Sequence, residues 1–195
     1  MKTAFLVGCL LAAAITSAAQ GRIVSELTGL NLGRKPLGAT PEVFALGVVS
    51  RDGIQMKLTM SADGAEILYT ERDPATNAVS FISRHKAGDS WGEPIVLPFA
   101  REYMDIEPGL SPDGRTLLMH SRREGGFGNW DLYVSFKDES GGWSEFKNLG
   151  PAVNTDKPES SPTFSADGRF IFFTRETDIF WVSATIIEKL KANEK

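Results

Sequence analysis

Cysteine and histidine are nearly absent. The 195 residues hold one cysteine, Cys9, and two histidines, His85 and His120. No disulfide framework and no cysteine-ligated zinc site can be built from that supply. Few side chains remain for proton transfer near neutral pH. An excess of positive charge is missing too: 21 Lys+Arg stand against 25 Asp+Glu, a net charge of −4. That balance argues against nucleic acid as a partner. No apolar run reaches the roughly 20 residues that a membrane-spanning helix requires, so no transmembrane span is expected. What is present, 42% hydrophobic and 24% charged residues, is ordinary for a folded chain. The length suits one domain or a small repeat array.

Residues 1–19 read as a secretory leader. Lys2 supplies the positive start, residues 4–15 the apolar stretch, and Ser17-Ala18-Ala19 the small residues of a cleavage site before Gln20. The expected destination is the periplasm or the medium. Leu6-Val7-Gly8-Cys9 matches a lipobox, but it follows Lys2 too closely for a full apolar region. Cys9 is therefore assigned to the leader rather than to a lipid anchor. Residues 20–40, with Pro36 and several glycines, read as an extended wrap.

Beyond that point the sequence repeats itself. Ser61-Ala62-Asp63-Gly64, Ser111-Pro112-Asp113-Gly114 and Ser165-Ala166-Asp167-Gly168 are one element in three copies, 50 and 54 residues apart. Each copy precedes an apolar, β-prone segment: Ile67-Leu68-Tyr69, Leu117-Leu118-Met119 and Phe170-Ile171-Phe172-Phe173. A second such segment follows in every unit, and in the first two a tryptophan, Trp91 or Trp143, opens a fourth. Asp-Gly between apolar runs signals a hairpin. Asp63, Asp113 and Asp167, with Gly64, Gly114 and Gly168, are accordingly read as structural turn residues, since repetition in every unit is what a structural device produces. Each unit becomes a four-stranded antiparallel meander, strands a to d. About 50 residues and four strands per unit is the arithmetic of a propeller blade.

The Ser111-Pro112-Asp113-Gly114-Arg115 turn, Gly125-Gly126-Phe127-Gly128 ahead of Asp131-Leu132-Tyr133, and Trp143-Ser144-Glu145 ahead of Asn148-Leu149-Gly150 resemble the WD40-like PD40 repeats of TolB-type β-propellers. The resemblance covers roughly residues 41–190 and implies an all-β, propeller-type array with bacterial envelope biology. The third unit lacks its fourth strand, and Val43-Phe44-Ala45-Leu46-Gly47-Val48-Val49-Ser50 reads as an unaccompanied one. The N-terminal strand is thus expected to complete the last blade. Three blades fill a ring poorly, which leaves an open arc or a ring closed by a homodimer. Residues 184–191 read as a short helix or tail, and 191–195 as the end of it.

Chemistry-bearing patterns are sparse. There is no nucleophile elbow, no metal-ligand spacing and no expected cofactor. His85 and His120 recur in no other unit and read as strand-edge or surface histidines. Asp131 and Asp178 follow arginines across the b–c turn and read as strand-pairing salt bridges. Six residues before each turn serine stand Gln55, Asp105 and Glu159, at the start of strand a, which lines the channel of a propeller. Near them fall Tyr103, Glu107, Asp156 and the b–c loop carrying Arg123, Phe127 and Trp130. These are the candidates for a contact surface formed by the d–a and b–c loops. The expected function is non-enzymatic binding of a protein or carbohydrate partner. Two alternatives stay open: a glycosidase-like hydrolase using Asp105 and Glu159, and a shortened relic of a longer propeller.

Overall fold

The computed structural model describes residues 41, 43–87, 90–97, 99 and 104–191; the proposed leader and wrap, Cys9 and Tyr103 lie outside them. Within residues 52–195 the chain forms three antiparallel sheets in sequence order. The first joins β1 (Ile54–Met60), β2 (Glu66–Arg72) and β3 (Val79–Ala87) to two short outer pieces, β4 (Ser90–Trp91) and β5 (Ile95–Val96). The second is β6 (Ile106–Leu110), β7 (Thr116–Ser121), β8 (Asp131–Phe136) and β9 (Lys147–Asn148). The third is β10 (Glu159–Phe164), β11 (Phe170–Arg175) and β12 (Asp178–Ser183). A 3-10 turn (Ala184–Ile187) and one helical turn, α1 (Glu188–Lys191), follow. Among the described residues no helix is long and apolar enough to cross a membrane. The fold is all-β, an array of propeller-type meanders.

The first strands of the three sheets lie side by side, with β6 packed against both β1 and β10. Alternation then divides each sheet into two packing faces. Leu68 and Phe81 of the first sheet meet Leu117, Met119 and Tyr133 of the second in one buried cluster. Leu118, Leu132 and Val134, on the second sheet's other face, meet Ile171 and Phe173 of the third. Counted from the turn serine, the seventh residue points forward to the next sheet; the sixth and eighth point back.

The repeated turn differs from a two-residue hairpin. Gly64 N–H donates to Ser61 C=O, and Ser61 N–H to Glu66 C=O, so four residues form the loop. Only the glycines take positive φ, at 66°, 69° and 72° for Gly64, Gly114 and Gly168. The aspartates act differently: Asp63 accepts from Ser61 Oγ at 2.6 Å and from Ala65 N–H at 2.9 Å, and Asp113 and Asp167 repeat both bonds. The Ser165 hydroxyl and the Arg169 amide and guanidinium together hold the Asp167 carboxyl down to about 2. Ser and Asp are needed for the hydrogen-bonded frame, and Gly for the backbone.

Residues 43–50 are turns rather than the strand expected to complete the last sheet, which has three strands. Ala45 and Gly47 take φ of 47° and 82°, breaking the extended run. Val48 and Val49 N–H fold back onto Ala45 C=O, leaving a single parallel bridge between Leu46 and Ser50.

β6 and β10 approach closely. A Cβ at Gly109 would lie 2.5 Å from Pro162 O and 3.2 Å from its carbonyl carbon. Both are main-chain atoms of a packed strand and cannot step aside. Gly109→Ala is expected to lower stability by about 1–3 kcal/mol, read as a reduced urea midpoint at unchanged slope.

Candidate functional site

The loops entering strand a and those joining strands b and c carry the predicted site residues. Asp105 and Glu159 each stand at the start of a sheet's first strand or just before it, and both are 0% exposed. Asp105 Oδ2 pairs with Arg123 Nη2. Glu159 accepts from Arg175 Nε at 2.8 Å, Thr155 Oγ1 at 2.6 Å and Thr155 N–H at 3.1 Å. Neither carboxylate presents an open surface. Asp105 fastens the β7–β8 loop through Arg123, and Glu159 fastens the loop before β10 through Thr155. In the first sheet Gln55 reaches Glu71 across the corresponding strand pair at 3.4 Å.

The β7–β8 loop, residues 122–130, is the longest of its kind. In the first sheet residues 73–78 fill that place, and in the third only Glu176 and Thr177. Its frame comes from Asp131, which is buried and accepts from Phe127 N–H, from Gly128 N–H at 2.9 Å and from Asn148 Nδ2 at 2.7 Å. Asp131 thus departs from the salt bridge expected of it, because the loop amides reach the carboxylate from within its own turn. Gly128 is required by space: a Cβ there would sit 2.6 Å from Thr155 O and 2.9 Å from Lys157 O. The loop is therefore pressed against the loop preceding β10. Phe127 emerges at its tip, 48% exposed. Trp130 lies lower, half-buried, with the Arg122 guanidinium 4.2 Å from its ring centre.

Beneath Trp130 is a cluster that sequence reading missed. Each first strand carries a β-bulge, and its non-glycine pivot takes a left-handed φ: Lys57 at 40°, Glu107 at 57° and Ser161 at 54°. All three stand four residues before the turn serine. That regularity was available in the sequence, but Lys, Glu and Ser share no property that marks a left-handed residue. Ser161 Oγ donates to Glu107 at 2.6 Å, and Ser161 N–H donates to His120 Nδ1 at 3.2 Å. The His120 ring meets Trp130 edge-on at 4.9 Å. Burial pushes the His120 imidazole down from 6.5 to about 4; Glu107 opposes the shift and Lys57 adds to it.

The cluster does not form a nucleophile and base. The Ser161 hydroxyl proton points to Glu107, and the His120 lone pair is taken by a backbone amide. His85 lies apart, exposed, against Ser83 and Glu66 at the opposite end of β3. Among the described residues no three His, Cys, Asp or Glu side chains are grouped to hold a metal. What the arrangement supplies is a hydrogen-bonded floor under the aromatic loop.

No protein-family model matches the chain, and no curated protein matches it. Among solved structures it is similar to TolB from Acinetobacter baumannii, at 15% identity and a TM-score of 0.44, over 67% of this chain and 30% of that one. It is similar to Kuenenia stuttgartiensis hydrazine synthase at 13% identity and 0.47, over 71% of this chain and 42% of that one. A prolyl endopeptidase matches at 13% identity and 0.45, over 67% of this chain and 20% of that one. The chain spans less than half the length of each.

Proposed function

We propose that this protein is an exported, non-enzymatic module that binds a protein or carbohydrate partner on its loop face, with Phe127 as the anchor. The observation that carries the reading is the build of the β7–β8 loop. A large apolar side chain is held out into solvent by a backbone that Asp131 and the neighbouring loop keep rigid. An aromatic held ready in this way loses little conformational entropy on binding. Trp130 and Arg122 flank it, and tryptophan, arginine and aromatics generally dominate binding hot spots. Asp105 and Glu159 take the role of positioning residues, each neutralised by an arginine. That closed pairing favours binding over glycoside hydrolysis, which needs two open carboxyl groups across a sugar bond. The leader-like residues 1–19 support a site of action in the periplasm or outside the cell.

A photo-cross-linking residue at position 127 tests the assignment in living cells, with position 139 as the control. A partner captured from 127 and not from 139 is the expected result, with a glycan array covering carbohydrate. Phe127→Ala is expected to weaken that complex at least about tenfold. Equal capture from both positions would remove the loop face as the binding surface.

A further inference from the structure

The third sheet ends with its forward face uncovered. Phe170, Phe172, Ile179 and Trp181 lie on that face, Phe172 opposite Trp181 and Thr174 opposite Ile179. Ile179 is 77% exposed and Trp181 63%. By repeat position Ile179 matches Phe81 and Leu132, and Trp181 matches Ser83 and Val134, all four buried. In the first two sheets this face is the one that packs on the next sheet. The exposed face is thus the third in a series whose first two members are established interfaces. The aromatic rings are already ordered against one another, with Trp181 5.0 Å from Phe170 and stacked on Phe172 at 6.4 Å.

We infer that this face pairs with the same face of a second copy of the chain, about a two-fold axis. Two observations select that occupant. First, the middle of the face is uncharged: the cross-strand rows Thr163–Phe172–Trp181 and Ser160–Thr174–Ile179 contain no Asp, Glu, Lys or Arg, and the charge at its rim, Arg169 5.6 Å over the Phe170 ring, is exposed and paired with Asp167. Two copies can meet there without burying a charge. Second, a head-to-tail contact would need the backward face of the first sheet, where Ile67, Tyr69 and Ile82 are already buried within the chain. The exposed aromatic face is left to meet its own image, the self-complementary contact of a C2 dimer.

Area sets the strength. Aromatic side chains bury about 150–250 Å² each, and part of that is already spent within the sheet, leaving on the order of 400 Å² per copy. A standard interface takes about 800 Å² from each partner, so the dimer belongs to the weak, reversible class. This surface is separate from the loop face, and either can fail alone.

Sedimentation of the full chain over about 10–500 μM is the test. The weight-average mass should climb from 21.3 kDa toward twice that value with concentration. Ile179→Glu/Trp181→Glu, at exposed positions outside the buried core, should stay at monomer mass while still unfolding in one cooperative transition. A photo-cross-linker at Ile179 should yield a dimer-mass adduct. A wild-type chain that stays monomeric throughout overturns the inference, as does a double variant that still associates. Cross-links from position 179 only to other proteins would also overturn it.

Discussion

Glu159→Ala is expected to destabilise the protein by about 3–5 kcal/mol, the range for removing one partner of a buried ion pair. The Glu159 carboxylate is 0% exposed, and Arg175 opposite it is 20% exposed. Without Glu159 the guanidinium keeps its bond to Val153 C=O and its place 4.4 Å over the Phe180 ring but loses the carboxylate it pairs with, and Thr155 loses acceptors for both its amide and its hydroxyl. Most of the loss is the stranding of these groups, so the double change Glu159→Leu/Arg175→Leu should cost much less than the single one. Glu159→Gln should recover part of it, since the amide oxygen still accepts from Thr155. Urea unfolding of the four proteins settles the matter: equal losses in single and double variants would show that the pair is not the source.

Acidification supplies the second large effect. His120 holds its pKa near 4 in the folded protein, against 6.5 for an unperturbed histidine. Between those values the unfolded chain takes up a proton that the folded one refuses, so lowering the pH through this window favours unfolding. The stability tied to neutral His120 is complete above 6.5, is lost progressively down to 4, and changes no further below. At about 1.36 kcal/mol per unit, the loss between pH 7 and pH 4 comes to about 3 kcal/mol. Carboxylates begin to titrate at the low end, and Glu107, Lys57 and Arg122 all stand near the ring or its tryptophan neighbour. The comparison is therefore with His120→Gln, whose stability should fall by about one proton's worth less across the same range. Parallel curves for the two proteins would mean that the imidazole is not shielded as its burial requires.

The repeated elements were legible because each rests on local chemistry. Ser-x-Asp-Gly names a turn whose hydroxyl, carboxylate and flexible glycine all act within six residues, and the apolar triplets after it announce strands β2, β7 and β11. The tryptophans correctly marked the outer edge: Trp91 lies in β4, and Trp143 bridges to Lys137. Asp105 and Glu159 were located at the right end of their sheets, but their arginines lie 18 and 16 residues away, across a hairpin whose register only the fold supplies. The same holds for His120, whose partner Ser161 is 41 residues distant. Val43 to Ser50 misled for a different reason. Its β-branched residues fit a strand, while the left-handed turns at Ala45 and Gly47 decide otherwise. Local propensity is overridden where two or three backbone angles are set by their surroundings.

The left-handed pivots at 57, 107 and 161 carry a consequence for how such a protein can change over generations. One inserted residue reverses the alternation of everything before it in the strand. Below the pivot, toward the turn, substitutions are judged by the core. Above it they are judged by the buried pairs that fasten the loops, Asp105 with Arg123 and Glu159 with Arg175. Each first strand is thereby divided into a half answerable to the sheet core and a half answerable to the loop anchors, and the join falls at the same place in all three copies. Lys57, Glu107 and Ser161 have already diverged in charge at one structural address, while the Ser-x-Asp-Gly frame four residues on has kept its hydrogen bonds unaltered.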